Sequence, residues 1–127
     1  MTWRASGSND AEIWTTPPGQ GLTPVFAAVA GFTRVCAYDR PSTILDATHV
    51  SRSDPVPMPR TAEDVVFELH DLLDAAGISG PNVLVAHSLG GLFARLYASN
   101  YPNDVAGLVL VDAWPEAMPE LLGPEQW

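Results

Sequence analysis

The 127 residues suffice for one domain with a buried core, and 15 acidic side chains outnumber 6 basic ones. A formal net charge of −9 at pH 7 opposes binding to nucleic acid or to an anionic membrane surface. The single cysteine, Cys36, excludes an internal disulfide and has no partner for a metal-ligand pattern. Its place in an apolar run predicts that it is a small buried hydrophobic residue.

No membrane span or targeting signal is predicted from the sequence. The first ten residues contain no apolar region of the kind found in signal peptides, and no stretch is apolar for long enough to cross a bilayer. The default expectation is therefore a cytoplasmic protein.

The first third of the chain predicts a loop, a short helix and a strand. Turn-forming residues fill 6–10, and Ala11–Trp14 fits one helical turn that the following T-T-P-P-G-Q-G ends. A helix is expected to begin at Thr23, with Pro24 at its first position, and to close at Gly31. The apolar, β-branched run Thr33–Tyr38 predicts a buried parallel strand.

A long loop and a second helix follow. Residues 41–60 contain prolines 41, 55, 57 and 59, and loops of that length often form functional rims or lids. Thr61, with Asp64 three residues later, is typical of a helix start. Apolar residues then recur at helical spacing, at Val65, Val66, Leu69, Leu72, Leu73 and Ala76, which predicts a helix packed on the sheet.

The most informative stretch is 81–91, P-N-V-L-V-A-H-S-L-G-G. Its apolar run Val83–Ala86 predicts a strand, Ser88 and two glycines predict a tight turn, and Leu92–Ala98 continues with a helical pattern. A further buried strand is expected at Ala106–Val111. Strands that alternate with helices favour a parallel sheet, in which ligands sit beyond the carboxyl ends of the strands. The sequence places four polar segments at that edge, at Ser6–Asn9, Asp39, Ser88 and Asp112.

The 81–91 stretch resembles the nucleophile elbow, G-x-S-x-G, of the α/β-hydrolase superfamily (AB hydrolase-1 type), with Ala86 at the first glycine position. Residues 34–41, 51–65 and 105–112 resemble further landmarks of that family. The resemblance implies an α/β-hydrolase fold, a mostly parallel sheet with helices on both faces, as one partial domain over 1–127 that is incomplete at both ends. It also implies that 113–127 begins a cap or lid. The family's central strand, before the oxyanion loop, would have only its last residues here, in 1–5.

The same resemblance implies roles for individual residues. Ser88 is the nucleophile, the backbone N–H groups of Leu89 and Ser8 form the oxyanion hole, and Ala86, His87, Gly90 and Gly91 shape the elbow. The family's acid usually follows a strand beyond Trp127, so the resemblance implies that both the acid and the base are missing from this chain. Some relatives take the acid from the strand after the elbow helix, which makes Asp112 a candidate, with a strand-end capping carboxylate as the alternative. Asp39 and Arg40 are read as a structural pair.

The base is missing from the expected place. The family's histidine follows the acid, and no histidine follows Ser88; His49, His70 and His87 are poor substitutes. Because loss of the triad's serine or histidine costs on the order of a millionfold in kcat in a serine protease, we expect negligible turnover from the 127-residue chain alone.

The function predicted first is that of a serine hydrolase acting on a small-molecule ester, amide or related acyl substrate, with no cofactor and no metal. One alternative is a catalytically inactive remnant or a binding module of the same fold. Another is an acyltransferase or a cofactor-free haloperoxidase. Nucleotide binding is excluded because the glycine spacing is wrong and the chain has no lysine. Self-association through exposed sheet edges is also expected.

Overall fold

The computed structural model describes residues 3–6, 11–14, 23–38, 40–41 and 56–117. The strands are β1 (Trp3–Ser6), β2 (Ala11–Trp14), β3 (Arg34–Tyr38), β4 (Asn82–His87) and β5 (Val105–Val111). The helices are α1 (Thr23–Val29), α2 (Ala62–Ala75) and α3 (Gly90–Asn100), and a 3₁₀ turn at Pro102–Asp104 joins α3 to β5. Predictions that concern Ser8, Asp39 and His49 lie outside the described residues.

The five strands form one sheet in the order β1-β3-β2-β4-β5. Strands β3, β2, β4 and β5 run parallel to their neighbours, and β1 alone pairs antiparallel, with β3. The predicted mostly parallel sheet is confirmed. Its carboxyl edge is the edge at which Tyr38, Trp14, His87 and Val111 end their strands.

The N-terminal predictions need correction. Ala11–Trp14 is a strand rather than a helical turn, and it holds the central position between β3 and β4 that was expected to be nearly empty. Four residues are too few for periodicity to separate a helix from a strand, so pairing on both sides decides the outcome. Residues 3–6 form the antiparallel edge strand, and Ser6 pairs with Val35, so Ser6 lies at the amino end of β3 and not at the predicted rim.

Helices cover both faces of the sheet, as predicted. On one face, Cys36, Tyr38, Leu84 and Ala86 pack in a cluster with buried side chains of α2 and α3. On the other face, the alternate residues Val35, Ala37 and Val85 pack against Val29 and Ala30 at the end of α1. Strands that bury both faces in this way read as continuous apolar runs. Cys36 is fully buried, in agreement with its predicted role as a small hydrophobic residue.

Helix α2 begins at a full capping box. The Thr61 hydroxyl accepts a hydrogen bond from the Asp64 N–H (3.2 Å), and the Asp64 carboxylate accepts one from the Thr61 N–H (2.8 Å). Its buried face consists of Val66, Leu69, Leu72 and Leu73, four of the predicted apolar positions. The helix ends just before Gly77, whose φ of +63° is one that glycine adopts without strain.

Strand β5 forms the last strand of the described sheet and leaves apolar side chains in contact with solvent. Leu108, Val109 and Leu110 are 37%, 46% and 37% exposed. An edge of this kind carries unpaired backbone groups. In the described part of the chain, no helix has the length and apolarity needed to cross a membrane.

Candidate active site

Ser88 lies in the turn between β4 and α3, at the carboxyl edge of the sheet. Its φ of +53° is in the left-handed region, which a residue with a side chain seldom adopts. Strand β4 ends one residue earlier, at His87, and α3 begins two residues later, at Gly90. The predicted order of strand, strained serine turn and helix is therefore present.

Hydrogen bonds hold both peptide groups of Ser88. Its N–H donates to the carbonyl of Val111 on β5 (3.2 Å). Its carbonyl accepts from the N–H groups of Gly91 (3.0 Å) and Trp114 (3.1 Å). A non-glycine residue stays in a left-handed conformation only where its surroundings hold it, and these three bonds do so from α3 and from the segment around β5.

Small residues surround the turn because other backbone comes very close. Ala86, Gly90 and Gly91 are all buried. A Cβ added to Gly91 would lie 2.4 Å from the Cβ of Ala113, far inside ordinary van der Waals contact. Gly91 is therefore required by the close approach of the chain that leaves β5.

The amino end of α3 points its unpaired donors to the same edge. Leu89 is the N-cap residue, and it makes no side-chain capping hydrogen bond. Within residues 56–117, the Leu89 N–H donates to no acceptor. Free N–H groups and the helix dipole favour negative charge at such an end.

Asp112 shares this edge with Ser88. His87 pairs with Val111 in the parallel β4–β5 ladder, so the next residue of each strand lies just beyond the same pair. Asp112 also has a left-handed φ, +44°, and its side chain is exposed. The structure thus brings the predicted nucleophile and the candidate acid to one rim.

Neither described histidine has the place of a base for Ser88. His87 is half-buried at the end of β4, next to Ser88 in the chain. His70, on α2, stacks on Tyr101 with ring centroids 4.0 Å apart, and its Nε2 lies 3.7 Å from Oδ2 of Asp104. It lines a cavity of about 240 Å³ that also touches Asn82, the first residue of β4. That cavity and Ser88 lie at opposite ends of β4, on the order of 20 Å apart along the strand.

A cationic side chain, Arg40, lies just beyond the carboxyl end of β3, which β2 separates from β4. The Arg40 guanidinium lies over the ring of Phe93 on α3, 5.0 Å from its centroid, and burial lowers the pKa of Arg40. Beside it, the buried Tyr38 hydroxyl has no hydrogen-bond partner among the described residues. Burial raises the pKa of Tyr38 to about 12.

Arg95 and Trp114 lie at the site, and neither was predicted from the sequence as a site residue. Arg95, on α3, donates from Nη1 to the carbonyl of Trp114 (2.8 Å), and the N–H of Trp114 bonds to Ser88. An arginine at helical spacing from the elbow carries no distinguishing signal, since exposed helix faces commonly carry arginine.

The described residues hold no group of three His, Cys, Asp or Glu side chains that could bind a metal ion.

Comparison with known proteins shows which family and which relatives this chain resembles. A family model described as "alpha/beta hydrolase fold" matches residues 4–125. An uncharacterised protein of Schizosaccharomyces pombe is 38% identical over 81 residues, which are 64% of this chain and 14% of that protein. Lipase 1 of Psychrobacter immobilis is 39% identical over 57 residues, 42% of this chain and 18% of the lipase.

The fold is also found among solved structures. A hydrolase from Pseudomonas aeruginosa superposes with a TM-score of 0.76 at 23% identity, over 98% of this chain and 44% of the other. The chain therefore spans less than half of each of these three proteins. The match to the family model extends over nearly the whole sequence and agrees with the sheet order and the strand–turn–helix at Ser88. The chain belongs to the α/β-hydrolase family.

Proposed function

We propose that this chain carries the nucleophile half of a serine hydrolase that acts on an ester, an amide or a related acyl compound. The observation that carries the proposal is the left-handed Ser88 at the junction of β4 and α3. A strained serine between a strand and a helix presents its hydroxyl above the sheet edge in enzymes that transfer acyl groups. The lipase relative is in keeping with this substrate class.

Leu89 supplies one oxyanion donor in this proposal. Its N–H follows the nucleophile directly and is free of other acceptors within residues 56–117. The second donor was predicted at Ser8, which lies outside the described residues. Ser6, the last residue of β1, lies at the edge of the sheet opposite to Ser88.

Asp112 is proposed as the acid, and neither of the described histidines, His70 and His87, is proposed as the base. Asp112 shares the rim with Ser88, whereas His70 is held at the other edge.

The chemistry proceeds in two steps. The Ser88 Oγ forms a bond to the acyl carbon, its proton passes to the base, and the alcohol or amine leaves with a proton. Water then attacks the acyl-serine, releases the carboxylic acid and restores the Ser88 hydroxyl. Negative charge on the former carbonyl oxygen is stabilised by the oxyanion donors in both steps.

Residues 113–127 are proposed to begin a cap over this edge. The described part, 113–117, leaves β5 directly beside the elbow, and Trp114 bonds to Ser88. Substrate selection by this segment follows from its place, because loops at the carboxyl edge of an α/β sheet line the ligand site.

Covalent labelling by a fluorophosphonate tests the nucleophile without requiring turnover. Ser88 Oγ bonds to phosphorus, fluoride leaves and the hydroxyl proton goes to solvent or base, so a missing second step does not matter. We expect Ser88 to react on the order of a hundred- to a thousandfold faster than the exposed Ser79 and Ser99, because one oxyanion donor such as the Leu89 N–H is worth that much in rate. Peptide mapping by mass spectrometry measures the three rates in one sample, and Ser88→Ala is the blank.

Equal labelling of Ser88 and Ser99 would refute the proposal and favour an inactive remnant or a binding module. If Ser88 does label selectively, acyl transfer from an activated ester to an added alcohol, compared with transfer to water, separates an acyltransferase from a hydrolase.

Self-association through β5 is proposed on the exposure of its apolar edge, Leu108–Leu110. Light scattering after size exclusion should give a mass above 13.6 kDa that falls toward the monomer in Val109→Lys. A monomer mass at every concentration would contradict it.

A further inference from the structure

We propose that Arg95 is a positioning residue for Ser88, through a clamp that consists of Ser88, Trp114 and Arg95. The inference rests on the proposed function of Ser88 and adds a residue to that site. In the clamp, Trp114 in the turn after β5 is bonded to Ser88 of the elbow through its N–H and to Arg95 of α3 through its carbonyl. Arg95 makes the second attachment.

The first attachment joins two left-handed turns. Ser88 and Asp112 follow neighbouring strands and both have positive φ. The Ser88 N–H donates to Val111, and the Ser88 carbonyl accepts from Trp114, so hydrogen bonds connect the two turns on both sides of Asp112. The orientation of the Ser88 backbone is consequently set by the β5 turn as well as by α3.

The second attachment is the guanidinium of Arg95. Nη1 donates to the Trp114 carbonyl at 2.8 Å, a distance typical of a charge-assisted hydrogen bond, and Nε lies 3.9 Å from Oε1 of Glu116. The Glu116 side chain is 77% exposed, so its pairing with Arg95 adds little. Trp114 is therefore held through its N–H by the elbow and through its carbonyl by Arg95.

Close packing makes the clamp sensitive to small movements. Gly91 allows the chain at Ala113 to lie directly against α3, and a retreat of that chain lengthens the Trp114–Ser88 bond. Without it, the left-handed Ser88 loses one of the bonds that oppose its relaxation. Misplacement of a reacting group by about 1 Å can reduce a rate on the order of a hundredfold. The effect of Arg95 should accordingly fall on the reaction of Ser88 as well as on stability.

Arg95→Met and Arg95→Lys test the clamp, with Arg60→Met as the matched control. Arg60 is also a half-buried arginine that pairs with a carboxylate, Glu68, but it lies two residues before α2, and among the described residues its ion pair is with Glu68 and not with the elbow. For each variant, fluorophosphonate labelling of Ser88 over a range of probe concentrations separates probe affinity from the maximal labelling rate. Hydrogen exchange of the Trp114 amide reports the clamp independently of any reaction.

We expect Arg95→Met to lower the maximal labelling rate by ten- to a hundredfold with little change in probe affinity, and to speed exchange at Trp114. Arg95→Lys should recover only part of the rate, because an ammonium lacks the planar fork of donors. Millimolar guanidinium should restore labelling in Arg95→Met, and methylammonium should not. Arg60→Met should keep the wild-type rate.

Two results would overturn the inference. Unchanged exchange at Trp114 in Arg95→Met would mean that Arg95 does not hold the turn. Faster exchange with an unchanged labelling rate would reduce Arg95 to a structural role. Failure of the proposed function is distinct from both, since Ser88 would then label no faster than Ser99 in the wild-type chain.

Discussion

Gly91→Ala should destabilise the protein although alanine is the better helix former. An added Cβ would lie 2.4 Å from the Cβ of Ala113, whereas carbon atoms pack best at about 3.5–4.0 Å. The chain at Ala113 must therefore retreat by about 1 Å or more, which stretches the 3.1 Å bond from Trp114 to Ser88 to about 4 Å, beyond hydrogen-bond range.

Three contributions determine how Gly91→Ala changes the free energy of unfolding. Overpacking costs about 1–3 kcal/mol, and the lost hydrogen bond about 1 kcal/mol more. Replacing glycine within a helix returns about 1 kcal/mol. The free energy of unfolding should thus fall by about 1–3 kcal/mol.

Urea denaturation followed by far-ultraviolet circular dichroism measures this change, and Gly107→Ala is the matched control. Gly107 lies in β5, and no heavy atom comes within 4 Å of a Cβ built there. Its replacement should leave the stability unchanged or raise it by about 0.5–1 kcal/mol. If Gly91→Ala is as stable as Gly107→Ala, the close approach of Ala113 to α3 is wrong.

Three further predictions concern single side chains. Ser88→Gly should be more stable than Ser88→Ala by about 1 kcal/mol, because glycine relieves the left-handed φ of +53°; equal unfolding midpoints would argue against strain at the elbow. Tyr38→Phe should equal or exceed the wild type by up to about 1 kcal/mol, since the hydroxyl has no partner among the described residues. Burial raises the folded-state pKa of Tyr38 from 10.0 to about 12, so wild-type stability should fall as the pH rises between those values. That fall should be smaller in Tyr38→Phe, with a remainder from Tyr97, whose pKa is also raised by burial; identical alkaline profiles would contradict the prediction. Thr61→Ala should lose about 1 kcal/mol of helix capping. Hydrogen bonds from the Thr61 N–H and from its hydroxyl lower the pKa of Asp64, and Thr61→Ala keeps the first and removes the second. The acid-side loss of stability, which develops as the pH falls toward 3.8 and below, should therefore be slightly weaker in that variant; an unchanged acid profile would mean that the Thr61 hydroxyl does not contribute to it.

The parts of the fold that the sequence predicted well are those with strong local patterns. Helix α2 has a capping signal at Thr61 and apolar residues at helical spacing, and its observed start and buried face agree with both. Strands β3, β4 and β5 are short apolar runs that end at polar or turn residues, and each lies within one residue of its predicted bounds. The turn at Ser88 was predictable because its motif links residue type to backbone conformation. Small residues, here Ala86, Gly90 and Gly91, are needed where the strand and the helix meet.

The N-terminal strands were not predictable in the same way. Ala11–Trp14 has too few residues to show a period, and only pairing with β3 and β4 makes it the central strand. The direction of β1 was likewise undetermined, because a strand has the same side-chain pattern whichever way it runs. Its antiparallel pairing places Ser6 at the edge of the sheet opposite to Ser88.

The sequence by itself determined the α/β class, the boundaries of α2 and the position of Ser88 in a strand–turn–helix, because these depend on neighbouring residues. Only the tertiary structure decided which other groups reach Ser88. Ser88 bonds to Val111 and to Trp114, and Trp114 bonds to Arg95. The residues in each of these pairs lie 19 to 26 positions apart in the chain. No local pattern encodes such contacts, since they arise from the register of β4 against β5 and from the packing of α3 on both.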